Sequence, residues 1–295
     1  MGRTQAGIVC WQQNMTLSGL PPTHTVNTPS AAVAVDMSSL PGYVTTVVPN
    51  ANPNTIYIFA GGETCPEGLD GHNTVIGGRA SSITLTDGYG FFSPLAFTAD
   101  EATYSRPSQP DRWQTIALPF AVSSLPDGVA LQEFAEVGDD GQVVFAPVQQ
   151  MEGHVPYLLL ASAADDLVFR ASDVRFLSAA DVPMMVGTDD YRFCGTTVSR
   201  RLDGIFALNA EGTAFEPADT PTQVDAFRAY FTAPAALTAI PTPSQPTGIE
   251  VVGQSTPPAD HSAIYDLSGR RIASGQHSIA KGIYIQNHKK MLIRR

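Results

Sequence analysis

Charged residues are scarce in this 295-residue sequence, at 15% of the total, against 23 prolines and 25 glycines. That balance argues against long surface helices, which need charged outer faces, and favours short elements joined by turns. Cysteine is rarer still. Cys10, Cys65 and Cys194 stand far apart with no Cys-x-x-Cys spacing, which excludes a zinc knuckle or a dithiol redox pair made from them. The spacing allows a bridge from Cys65 to Cys10 or to Cys194, and equally three buried thiols. No run approaches the roughly 18 apolar residues of a transmembrane helix. The apolar stretch at the start, Ala6 to Trp11, falls short of a secretory leader, whose core needs roughly 7–15 such residues. A leader is therefore expected upstream of Met1.

The strong catalytic motifs are missing too: there is no Gly-x-Ser-x-Gly elbow, no His-Glu-x-x-His, no phosphate loop and no dinucleotide fingerprint. His24, His72, His154, His261, His277 and His288 are scattered, with no second histidine at helical spacing for a metal, and read as surface or turn residues. The acid pairs Asp139-Asp140, Asp165-Asp166 and Asp189-Asp190 would have to converge across a sugar to serve a glycosidase. Neighbours on a strand point to opposite faces, so these pairs read as turns. Asp87, Asp139, Asp140 and Asp189 are conceivable calcium ligands, but no Asp-x-Asp-x-Asp-Gly loop organises them. The expectation is a non-catalytic chain without a cofactor or resident metal.

What is present is a sharp asymmetry of charge. From His261 to Arg295 there are seven Lys or Arg against the single Asp266, a net of +6, while residues 1–260 carry −17. An acidic body repels phosphate backbones, which argues against nucleic acid as a partner.

Short apolar runs recur from Ala32 to Val35, Val44 to Val48, Ile56 to Phe59, Ile83 to Leu85 and Phe91 to Phe97, separated by Asn52-Pro53-Asn54, Gly61-Gly62, Asp70-Gly71 and Asp87-Gly88. Each separator has turn chemistry, so the pattern is strand, turn, strand. Further strands are expected from Trp113 to Phe231, with a hairpin at Asp139-Asp140-Gly141, in the manner of an antiparallel sandwich or an open barrel. Prolines 234, 241, 243, 246, 257 and 258 then mark a stiff spacer. The expected organisation is an irregular lead-in over 1–30, a small β-rich module over 31–108, a β-sandwich-like domain over 109–233, a linker over 234–260 and a C-terminal segment over 261–295. The fold class is all-β.

That last segment reads Ala263-Ile-Tyr-Asp-Leu-Ser-Gly-Arg-Arg-Ile272, then Lys281-Gly-Ile-Tyr-Ile-Gln-Asn287, then Lys289-Lys-Met-Leu-Ile-Arg-Arg295. Tyr265-Asp266-Leu267-Ser268-Gly269-Arg270, Lys281-Gly282 with Tyr284, and the basic strand begun by Lys289-Lys290 resemble the C-terminal sorting domain of type IX secretion substrates of Bacteroidota-type bacteria. His288 stands where that family usually has Gly. The resemblance covers about 33 residues. It implies a small immunoglobulin-like sheet, a partnership with the secretion machinery, and delivery outside the cell or onto its outer surface. Asn50 to Phe59, Leu85 to Tyr89, Pro94 to Phe97 and Arg112 to Phe120 resemble, more loosely, β-modules that follow leucine-rich or similar repeats in surface proteins of the same bacteria; no activity comes with that resemblance.

Aromatic residues gather at Tyr89, Phe91 and Phe92 and again at Tyr191 and Phe193. Most such rings fill sheet cores, as Trp113 is expected to do. An exposed ring also stacks on a sugar face, so Tyr89 and Tyr191 are the candidate glycan contacts, with a surface glycan or protein as partner.

Overall fold

A computed structural model describes residues 2–3, 9–11, 25–40, 42, 44–138, 142–179, 184–218, 220–234, 237 and 239–243, with the strand residues 263–265, 271–274, 282–286 and 289–293. It falls into two compact units, Met1–Gln245 and Pro246–Arg295. Both are built of strands; among the described residues there is no helix, as the turn-rich sequence predicts. None is therefore long and apolar enough to cross a membrane.

The larger unit begins as a short solenoid. Thr25–Asn27 pairs in parallel with Thr46–Val48, and Thr46 bridges in parallel to Glu67, so this side repeats every 21 residues. On the other side Ala34–Asp36, Ile56–Phe59 and Asn73–Ile76 lie side by side, also in parallel. The region 1–30, expected to be irregular, contributes three strands: Thr25–Asn27, and Val9–Trp11 and Gly2–Arg3, which extend the second side in antiparallel. Parallel strands buried on both faces read as continuous apolar runs, and all four residues of Ile56–Phe59 are buried. At the corner, Gly68 has φ +90 and a Cβ there would stand 2.2 Å from the carbonyl oxygen of Val47, so only glycine fits.

Three asparagines become cross-links between rungs, Asn54 and Asn73 buried and Asn50 half-buried. Asn50 donates to the carbonyls of Pro29 and Ala32 at 2.9 and 2.8 Å. Asn54, fully buried, donates to the carbonyls of Thr86 and Tyr89 and accepts from the Thr86 amide at 2.7 Å. Asn73 does the same for Thr84, accepting at 2.7 Å and donating at 3.0 Å. These amides satisfy backbone groups in the turns and on the strand Arg79–Thr86.

The solenoid sheet continues through Arg79–Thr86, which is parallel to Phe97–Arg106, and ends on Leu167–Phe176 in antiparallel. A four-stranded antiparallel sheet runs in the order Gln114–Ala117, Pro156–Ala161, Val129–Val137, Val143–Val148. Its strand Pro156–Ala161 is buried along its whole length. Tyr157, Leu159 and Ala161 share a core with Leu85, Tyr104 and Phe169, while Leu158 and Leu160 join Phe193, Phe215 and Phe231. The period-two alternation of a strand thus feeds two cores from one segment. The second core belongs to a six-stranded sheet ordered Met185–Gly187, Arg192–Thr196, Arg228–Thr232, Phe206–Leu208, Ala214–Pro217, Ile240–Pro241. There Phe193 stacks on Phe231 at 4.6 Å, and Phe215 meets Phe231 edge-on at 4.9 Å. Trp113 is buried, its indole donating to the Pro243 carbonyl at 2.8 Å.

The prolines after 233 do not all lie in a free spacer: Ile240 is buried and pairs with Phe215, and Thr242 donates to the Thr213 carbonyl. Residues 244–260 lie outside the described residues, as does the predicted hairpin at 139–141. The smaller unit contains an antiparallel sheet in the order Arg271–Ser274, Ala263–Tyr265, Gly282–Gln286, Lys289–Ile293.

Candidate functional site

The residues predicted from the C-terminal motifs divide in two. Tyr265, Gly282, Tyr284, Lys289 and Lys290 lie on strands, with Tyr265 opposite Ile285 and Tyr284 opposite Met291. Asp266, Leu267, Ser268, Gly269, Arg270 and Lys281 lie outside the described residues. Tyr89 sits in the turn after Arg79–Thr86 and is 44% exposed; Tyr191 sits in the turn before Arg192–Thr196 and is half-buried. Neither lines one of the three clefts described below.

Asp189 makes a loose ion pair with Arg192 at 3.4 Å in open solvent. Among the described residues no three His, Cys, Asp or Glu side chains form a group able to hold a metal. Cys65 and Cys194 are free thiols, Cys65 exposed and Cys194 half-buried. His154 does occupy a turn, at φ 66, but a buried one: it is 7% exposed, and burial lowers its pKa.

A polar cluster centred on Asp87 is one that sequence reasoning did not assemble. Asp87, read as a turn residue, accepts from both terminal nitrogens of Arg228 at 2.7 and 2.6 Å, and from the Tyr104 hydroxyl at 2.6 Å. This two-pronged pair joins the end of Arg79–Thr86 to the start of Arg228–Thr232, 141 residues away. Burial resists ionisation of Asp87, but the hydrogen bonds and charge of Arg228 outweigh it, so the carboxyl is held below its usual 3.8. Burial, reinforced by Asp87 and opposed by Arg106, pushes the Tyr104 phenol well above its ordinary range, so it remains a neutral donor. The cluster contains no activated nucleophile and its carboxylate is fully engaged; it acts as a clasp.

Beside it runs a groove of ≈ 330 Å³ lined by Arg106, Arg112, Arg228, Gln109, Gln114 and Asp225 among others. A second cleft of ≈ 240 Å³ is lined by Phe91, Met184, Met185, His154, Cys194 and Tyr230 among others, and a third, of ≈ 340 Å³, by Glu101, Thr103, Ser123, Arg170 and Ser172 with two alanines. The arginine groove could not be read from the sequence, because its three cations come from strands or turns more than a hundred residues apart at the extremes. The only local signal was Arg112 beside Trp113.

No protein-family model matches the chain, and neither the curated proteins nor the solved structures hold a match to it.

Proposed function

We propose that this chain is a non-catalytic, secreted or cell-surface β-protein of structural or adhesive type, delivered by the secretion machinery that reads its C-terminal segment. The observation that carries this reading is the smaller unit: it stands apart by its internal contacts, and its strands coincide with the Ala263-Ile-Tyr, Gly282-Ile-Tyr-Ile and Lys289-Lys-Met-Leu-Ile stretches that resemble a sorting domain. The separation of charge supports it, since a net +6 tail on a −17 body offers a receptor a distinct electrostatic surface. Removal of residues 263–295 from a tagged chain in a type IX-competent cell tests the reading. Loss of surface delivery with normal synthesis is expected; unchanged delivery would refute it.

A second reading, a glycan-binding accessory module, is favoured by Tyr89, one of the few large apolar side chains exposed in the larger unit. Glycan-array binding that is lost on Tyr89→Ala would support it, and binding indifferent to that change would not.

A further inference from the structure

Before residue 261 every one of the ten cationic Lys or Arg positions is an arginine, and three of the ten line the ≈ 330 Å³ groove. In a stretch of net charge −17 that is a local concentration of positive charge. Of the three, Arg228 is neutralised by Asp87. Arg106 is not. It is only 3% exposed, and its terminal nitrogens donate to two neutral acceptors, the Thr115 carbonyl at 3.0 Å and the Gln114 amide oxygen at 2.7 Å. Its Nε has no hydrogen-bond partner. The oxygens of Asp87 are already taken by Arg228 and Tyr104. A guanidinium held out of water, bonded only to neutral acceptors and sharing the nearby charge of Asp87 with Arg228, lacks the dedicated counter-charge that normally accompanies burial. The neighbouring Arg228 adds like-charge repulsion to that cost.

Arg112, also lining the groove, is half-buried. It donates to the Ala210 carbonyl at 2.7 Å and to the Gln109 amide oxygen at 2.5 Å, which uses two of the five donors of a guanidinium. Gln114, Thr115 and Ala229 also line the groove, tied down by Gln114 donating to the Gln109 carbonyl and by the Ala229 amide donating to Thr115. Asp225 is the one acid lining the groove, where it accepts from Gln223 at 2.8 Å. The volume lies at the lower end of the roughly 300–1,000 Å³ range of small-molecule pockets.

We propose that this groove is a binding site for a small carboxylate, which Arg112 grips and whose charge compensates the buried Arg106. Guanidinium groups suit carboxylates because their planar fork matches two oxygens at once. An acidic sugar and a simple organic acid share that chemistry. The site is independent of how the chain is delivered and of Tyr89.

Calorimetric titration of the full chain at low salt tests the proposal, with sodium glucuronate and sodium succinate as probes and glucose and sodium sulfate as controls. Saturable binding of at least one carboxylate, with glucose silent and sulfate weaker, is expected. If glucuronate alone binds, the ligand class is acidic sugars; if succinate binds as well or alone, it is organic acids. Arg112→Ala, at a half-buried position, should weaken binding about tenfold or more, the scale of one charge-assisted hydrogen bond. Asp225→Asn should strengthen it, an effect that a purely structural role would not produce. No saturation by either carboxylate up to about 10 mM, equal binding of sulfate, or an unchanged affinity in Arg112→Ala would each overturn it.

Discussion

Asp87 shows how much a single residue can organise. Replacing it with Ala would leave the Arg228 guanidinium half-buried without its partner and the Tyr104 hydroxyl without an acceptor. Residual exposure of the pair, 24% and 14%, softens the penalty. The expected cost is about 2–3 kcal/mol in denaturant unfolding, below the roughly 3–5 of a fully buried pair. The same group sets a pH dependence. Because its folded pKa is depressed, its stabilisation is present above the unfolded value near 3.8 and is lost as pH falls through the lower folded value. Wild type should therefore lose stability more steeply than Asp87→Ala below about pH 4. Asn54 offers a second test. Asn54→Ala would leave two carbonyls and one amide unpaired inside the solenoid, at an expected cost of about 3 kcal/mol. A loss under about 1 kcal/mol in chemical denaturation would mean that water replaces the side chain there.

At the scale of elements, Pro156–Ala161 is the strand shared by two of the three cores of the larger unit, the third being the solenoid cluster around Val47 and Tyr57. Leu158→Ala and Leu159→Ala, on opposite faces, should each cost about 2–5 kcal/mol, and hydrogen exchange should find the amides of this strand among the slowest. If one of the two substitutions were nearly neutral, that face would not be a core. The element pattern was largely legible in the sequence: the Ile56 to Phe59 run is the strand Ile56–Phe59, and Ile83 to Leu85 lies inside Arg79–Thr86. Pairing direction was not. A short apolar run bounded by turns has the same composition whether its neighbour runs parallel or antiparallel, and the 21-residue register keeps Thr-Val at Thr25 and Thr46 but loses it at the third rung, where Glu67 stands. The asparagines at 50, 52 and 54 were legible as turn residues, and they do close the turn there, but not as cross-links, since the same side chains also satisfy carbonyls elsewhere in the chain. The arginine groove was invisible because only the fold brings Arg106, Arg112 and Arg228 together.

At the scale of the whole molecule the chain combines an acidic, strand-built body with a small basic sheet at its end. The body gives a rigid surface bearing a polar clasp and grooves, and no motif for chemistry was found in its sequence. On this account the end is an address that acts without the body, which fusion tests more directly than deletion. Residues 246–295 joined to an unrelated reporter with its own export leader should bring the reporter to the surface of a type IX-competent cell, where added protease reaches it. In a cell lacking that machinery the same fusion should stay inside. A reporter that remains in the periplasm of the competent cell, as it does without residues 246–295, would contradict the account.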